Sequence, residues 1–181
     1  MTLNASIEIS ADDMLITAAR NREAWALEAL YRAYSARVHG LCFRILGRTA
    51  DAEDAMQSTF VQAFRQIPSF RSECDIKTWL YRIASNEAMM LLRRRGRTVS
   101  AEAFPELSQG AGEAAAADSR ILVHASLSKL NEDQRLILIL HYWEELSCDE
   151  IAGVLSVSVP CVKMRLSRAR TAFRKHFGED L

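Results

Sequence analysis

The sequence predicts an all-α protein of two small helical domains joined by a linker, the C-terminal one containing a helix-turn-helix. Three observations predict it. On both flanks apolar residues recur at helical spacing, without strand-like alternation. Between the flanks, residues 98–118 (TVSAEAFPELSQGAGEAAAAD) shift abruptly to Ala, Gly, Ser and Glu and lose nearly all long aliphatics. The C-terminal third carries a short capped helix, a turn and a longer cationic helix in that order.

The first domain is expected over residues 10–97. Ser10 and Asn21 are N-cap residue types, predicting helices over about 11–20 and 22–35, and Gly40 and Gly47 bracket a third helix that ends before Asp51. Met56, Phe60, Ala63, Phe64 and Ile67 then form one stripe, on a helix over Asp51–Gln66. Ile76, Leu80, Ile83, Ala84 and Leu91 form another, on a helix over Ile76–Arg95, and Pro68–Asp75 reads as the loop between them. The alanine tract of the linker has helix propensity, so 98–118 is expected to be extended or partly ordered.

The second domain is expected over residues 119–178. Asn131 with Gln134 three residues on resembles a capping box and opens a helix carrying Leu136 to Trp143. Ser147-Cys-Asp-Glu150 is a fuller capping box for a short helix to Leu155, followed by a turn at Ser156-Val-Ser158. Pro160 fits the first turn of the next helix, where its missing N–H has no intrahelical partner anyway. Val162, Leu166, Ala169 and Phe173 give that helix an apolar stripe matching Ile151, Ala152 and Leu155 of the short one, which completes a helix-turn-helix.

Composition removes other classes. The longest aliphatic run, Leu136–Leu140, is far short of the roughly 20 residues that cross a bilayer, and the acidic N-terminus (Glu8, Asp12, Asp13) lacks a signal-peptide pattern. A cytoplasmic protein is expected. Cys42, Cys74, Cys148 and Cys161 are scattered, as are His39, His124, His141 and His176, so neither a disulfide framework nor a metal site is expected. No phosphate loop, nucleophile elbow or isolated carboxylate pair appears, and no catalytic residue or cofactor is predicted.

The 23 basic and 23 acidic residues cancel, which argues against bulk coating of nucleic acid. Their distribution is more informative: residues 98–119 carry 4 acidic side chains and no basic ones, and no acid occurs from Cys161 to Phe177. In that second stretch lie Lys163, Arg165, Arg168, Arg170, Arg174 and Lys175, on the recognition helix of the helix-turn-helix. A solvated cationic face is the plain alternative to a DNA-binding one. If DNA is bound, Ser158, Val159, Cys161, Lys163, Met164 and Arg165 meet base edges, while Arg168 and Arg170 meet phosphates. Ser147, Pro160 and Ser167 complete the candidate set there.

Glu144–Ala152 (EELSCDEIA) followed by Val162–Arg170 (VKMRLSRAR) resembles the C-terminal domain of extracytoplasmic-function (ECF) sigma factors of the sigma-70 family. Upstream, Asp51–Arg65 (DAEDAMQSTFVQAFR), Phe70-Arg71, Thr78–Ala84 (TWLYRIA) and Asn86 resemble the family's N-terminal domain, in the right order. The likeness runs from about Asp12 to Phe177. It implies a protein that binds core RNA polymerase, then promoter DNA, and that is held inactive by an anti-sigma factor, often membrane-anchored. The polymerase-binding residues it implies are Asp51, Glu53, Asp54, Gln57, Val61, Gln62 and Arg65 on an exposed face, with Met56, Phe60 and Phe64 mainly inside.

Capture of the downstream promoter element would fall to Phe70, Arg71, Ser72, Lys77, Trp79, Tyr81, Arg82, Asn86, Arg93, Arg94 and Arg95, where aromatics interleave with cations. Trp79 also borders the apolar stripe and Phe70 also suits a loop anchor, so core packing stands beside base stacking for both. The Arg93–Arg95 run suits both a helix C-terminus and passing phosphates. One departure is Pro160-Cys161, where the family commonly has Gly-Thr, which leaves the upstream element open. The competing readings are a stand-alone dimeric helix-turn-helix regulator, which would bind a palindrome unaided, and a helical adaptor indifferent to its cations.

Overall fold

The computed structural model describes residues 11–94, 123, 126–127 and 129–179. Ser10, Arg95 and the expected linker 98–118 lie outside the described residues. Every element among those described is helical, as the periodicity requires: α1 (Ala11–Arg20), α2 (Ala24–Leu46), α3 (Thr49–Gln66), a 3-10 turn (Ile67–Ser69), α4 (Ile76–Arg94), α5 (Glu132–Tyr142), α6 (Cys148–Leu155) and α7 (Val159–Glu179).

The largest departure from expectation is α2. The two helices expected over 22–35 and 40–47 are one, and Gly40 sits inside it, buried. A mid-helix glycine costs about 1 kcal/mol. The buried run Leu41-Cys42-Phe43 and Ile45-Leu46 carries the helix through that position by packing. The real stop is Gly47, at φ 71°, whose N–H closes on the Phe43 carbonyl at 2.7 Å. Asn21 does not cap α2. It belongs to the turn that closes α1, where Arg22 takes φ 62° and the N–H groups of Arg22 and Glu23 bond back to Ala19 and Ala18.

In the first domain α2, α3 and α4 pack mutually, and α1 closes one side against α2 and the 3-10 turn. Asp75 starts α4 by accepting the Thr78 backbone N–H. In the second domain α5 and α6 pack on α7. Both expected capping boxes form there, at Asn131–Gln134 and Ser147–Glu150. Residues 136–140 are all buried, so the aliphatic run is core on every side. The two domains also touch each other, α6 lying on α4 and α5 on α2.

Candidate nucleic-acid interface

The helix-turn-helix forms as the pattern predicts. Ser156 ends α6 at φ 52° and ψ 47°, and the Val157 N–H reaches back to the Ala152 carbonyl at 3.1 Å. Val162, Leu166 and Ala169 are buried against Ile151, Ala152 and Val154, which fixes the roll of α7. Lys163, Met164, Arg165, Ser167 and Arg168 are therefore on its exposed side, with Ser158 and Pro160 exposed at its start and Val159 and Cys161 half-buried. Ser147 is exposed and caps α6.

Arg170, expected to meet phosphate, is less exposed than the other cations of α7. It is half-buried, its guanidinium 5.6 Å above the Tyr142 ring and its Nη2 3.1 Å from His141 Nε2. His141 Nδ1 lies 3.2 Å from the Leu146 carbonyl, which only accepts, so the proton is on Nδ1 and Nε2 accepts from Arg170. Arg170 borders the apolar stripe and is used to tie α7 to α5.

In the first domain Phe70 and Trp79 are buried with ring centroids 5.0 Å apart, the anchoring arrangement rather than an open stacking platform. They floor a hollow of about 330 Å³ whose rim includes Arg71, Glu73, Cys74 and Arg82. Ser72 turns the loop at φ 57°. Arg71, Ser72, Asn86, Arg93 and Arg94 are exposed, and Lys77 and Arg82 are half-buried.

Along α3, Glu53, Asp54, Gln57, Val61 and Arg65 are exposed and Gln62 is half-buried, giving a polar face with one apolar residue at its middle. Phe60 is buried, and Met56 and Phe64 pack partly on the core. Asp51 is a correction: it is 2% exposed, on the same side of the helix as Ala55, Thr59 and Ala63. That buried stripe consists of small residues, which let α3 approach its neighbours closely.

Tyr81 is 1% exposed, and its hydroxyl donates to Glu144 Oε2 at 2.7 Å. Burial, then this hydrogen bond, push its pKa up, so it stays a donor. Glu144 Oε1 accepts from Arg44 Nη1 at 2.7 Å, and Lys77 Nζ sits 5.6 Å from the Tyr81 ring centroid. These groups line a cleft of about 470 Å³ between the domains, with Arg37, Gly40 and Trp143. Arg44 was not among the sequence-predicted residues, and Glu144 entered only as part of a motif. Their pairing spans 100 residues, beyond any local pattern.

The chain is similar to known proteins along most of its length. Residues 30–98 match the model of sigma-70 region 2, and residues 120–173 match sigma-70 region 4. The ECF RNA polymerase sigma factor SigW of Bacillus subtilis is 30% identical over 81% of this chain and 86% of its own length. The RNA polymerase sigma-H factor of Pseudomonas aeruginosa is 31% identical over 91% of this chain and 92% of its own. Among solved structures, CnrH in complex with the cytosolic domain of CnrY superposes with a TM-score of 0.72 at 25% identity, covering 95% of this chain and 100% of that one. The Bartonella quintana sigma factor RpoE, solved with the anti-sigma factor NepR, shares the fold with a TM-score of 0.68 at 23% identity over 85% of this chain and 98% of its own.

Proposed function

The chain belongs to the ECF group of sigma-70 RNA polymerase sigma factors, and from that membership we propose that it binds core RNA polymerase and then reads two promoter elements, one with each domain. The domains are residues 10–97 and 119–178, with 98–118 as the linker. Glu53, Asp54, Gln57, Val61, Gln62 and Arg65 form the polymerase-binding face; an acidic and amide surface around a single valine suits a basic or mixed partner. Arg71, Ser72, Lys77, Arg82, Asn86, Arg93 and Arg94 contact the downstream element, with the Phe70–Trp79 floor supporting the hollow beside them. The chain performs no catalysis of its own and acts in the cytoplasm.

The observation that carries this reading is the exposed cationic side of α7, set by a buried apolar stripe in a helix-turn-helix. Lys163, Met164 and Arg165 face base edges, and Arg168 faces phosphate. Each domain contributes modest contacts, and fixing one on polymerase raises the effective concentration of the other at its element. A protein inhibitor of the anti-sigma kind holds the chain inactive until a signal arrives. CnrH was solved with the cytosolic domain of CnrY, and a partner with a domain in the cytosol supports both a protein partner for this chain and the place of action.

The test is in vitro transcription with purified core polymerase and a genomic DNA library, with and without the protein, sequencing the new starts. Discrete starts that need the protein and share two spaced upstream elements are expected. Their absence, together with a shift of palindromic duplex by the protein alone, would transfer the reading to a dimeric regulator.

A further inference from the structure

We propose that neutral His141 is a positioning residue for the recognition helix, and that proton uptake by this one imidazole weakens reading of the upstream promoter element, an inference that rests on the reading of α7 as a promoter-contacting helix. His141 lies half-buried in the last turn of α5. Both of its ring nitrogens are engaged. Nδ1–H donates to the Leu146 carbonyl at 3.2 Å, one residue before the Ser147 cap of α6, and Nε2 accepts from Arg170 Nη2 of α7 at 3.1 Å. A single ring thus joins α5, the approach to α6, and α7.

The recognition helix has a use for such a tie. Val162, Leu166 and Ala169 fix its roll, but apolar burial is non-directional and leaves its tilt across α5 less defined. Arg170, next to the last of these, has little else to hold it. Among the described residues it forms no ion pair with a carboxylate, and its Nε is buried without a hydrogen-bond partner. Its other contact is the face of Tyr142, a residue 55% exposed, where a cation–π interaction is at its weakest. The directional hold on α7 is therefore concentrated in one acceptor, His141 Nε2.

That acceptor exists in one protonation state only. Nδ1 already carries a proton, so a second one goes to Nε2 and turns it into a donor facing another donor. Two cations then stand where a hydrogen bond stood, while the bond to Leu146 survives. The charged groups on the elements packed against α5 do not offset this. From α7 come Arg170 and Arg174, and from α2 Arg37 and Arg44. Glu144 is taken by Arg44 and Tyr81, Glu145 lines the cleft against the first domain, Glu150 is held by Ser147, and Asp149 is exposed. His39 of α2 and His176 of α7 are the other described histidines, so the test below substitutes His141 alone.

Lys163, Met164 and Arg165 ride on the same helix one to two turns before Arg170, so a change of seating at Arg170 is carried to the base-reading end. Loss of the tie misplaces side chains that read bases and removes no phosphate contact. The apolar stripe still holds α7 in the domain. An Arg170 that itself took a phosphate once released would have the opposite sign, since acid would then strengthen binding.

The test uses the full chain on core polymerase, binding a promoter mapped in the transcription experiment and the same duplex with its upstream element scrambled. Affinities are measured at about pH 8 and about pH 5.5, across the range in which histidines change charge; the ratio between duplexes cancels effects of pH on polymerase. Wild type should lose discrimination about fivefold or more at the lower pH, with the salt dependence of binding unchanged. In His141→Gln, whose amide oxygen accepts from Arg170 without titrating, the pH step should vanish. His141→Ala should discriminate poorly at both values. Nitrogen NMR of the His141 ring in the free chain should show the Nδ1–H tautomer at about pH 8, a readout that needs no variant to fold. Discrimination indifferent to pH, a step that persists in His141→Gln, tighter binding in acid, or the Nε2–H tautomer each overturns the proposal. If wild type directs no starts, the reading of α7 fails and takes this role of His141 with it, while the tautomer still reports the tie.

Discussion

Cys42 and Glu150 show how environment sets the chemistry of single residues. Burial, followed by the nearby Glu87 carboxylate, pushes the Cys42 thiol up to about 12, so it holds almost no thiolate at neutral pH. A thiol reagent at pH 8 should therefore label the half-buried Cys74, Cys148 and Cys161 in the native protein and reach Cys42 only as the domain unfolds, measured by mass spectrometry along a urea series. Glu150 lies below the usual carboxylate range, because the Ser147 hydroxyl and then its backbone N–H hydrogen-bond to the ionised form. Its stabilising contribution is present above the unfolded-state pKa and is lost as pH falls through the lowered folded value. Ser147→Ala should move the Glu150 titration upward by carboxylate NMR and destabilise the second domain by about 1 kcal/mol. That capping box was legible because its signal is confined to four consecutive residues. Asp51 was misplaced because its neighbours on the buried side, Ala55, Thr59 and Ala63, are too small to set the phase of a hydrophobic stripe.

At the level of elements, α2 and the turn before α7 are the informative cases. A sequence rule that reads glycine as punctuation splits α2 at Gly40, whereas the core that α3 and α4 build around it keeps the helix whole. Gly47 obeys the same rule because its backbone takes a positive φ. The α6–α7 turn places Ser156 in that same left-handed region with a side chain that gains nothing there. Ser156→Gly should raise the unfolding free energy by about 0.5–1 kcal/mol, measured by chemical denaturation, and leave the recognition helix in place. The apolar stripe of α7 was readable from spacing alone, and with it the outward side of Lys163, Arg165 and Arg168. Arg170 was not, since a side chain bordering that stripe turns in or out according to what the neighbouring helix offers, here His141 and Tyr142.

For the molecule as a whole, two helical domains were legible from the helical periodicity at either end of the sequence, but their contact was not. Arg44, Tyr81 and Glu144 are distant in sequence, and an interface closed by a few polar groups leaves no periodic trace. Among the inter-domain ion pairs, strength should follow burial. The Arg93 side chain is 68% exposed and 3.9 Å from Glu132, so Arg93→Ala should leave the solution radius of gyration unchanged, its effect on the domain contact staying below about 0.5 kcal/mol. If the linker sets the permitted distance between promoter elements, deleting residues within 98–118 should shift the preferred spacing in a library of spacer lengths. Equal transcription at all spacings would remove that role.

Glu144 also bears on how freely the halves of this protein can be exchanged. Both groups that hold it, Arg44 and Tyr81, belong to the first domain, while the acceptor belongs to the second. A hybrid joining this first half to a foreign second half without a carboxylate at that place would strand a buried hydroxyl and a cation at the junction. Transplanting a recognition helix alone, within α7, leaves the junction intact. The portable unit of specificity is thus smaller than the domain that carries it.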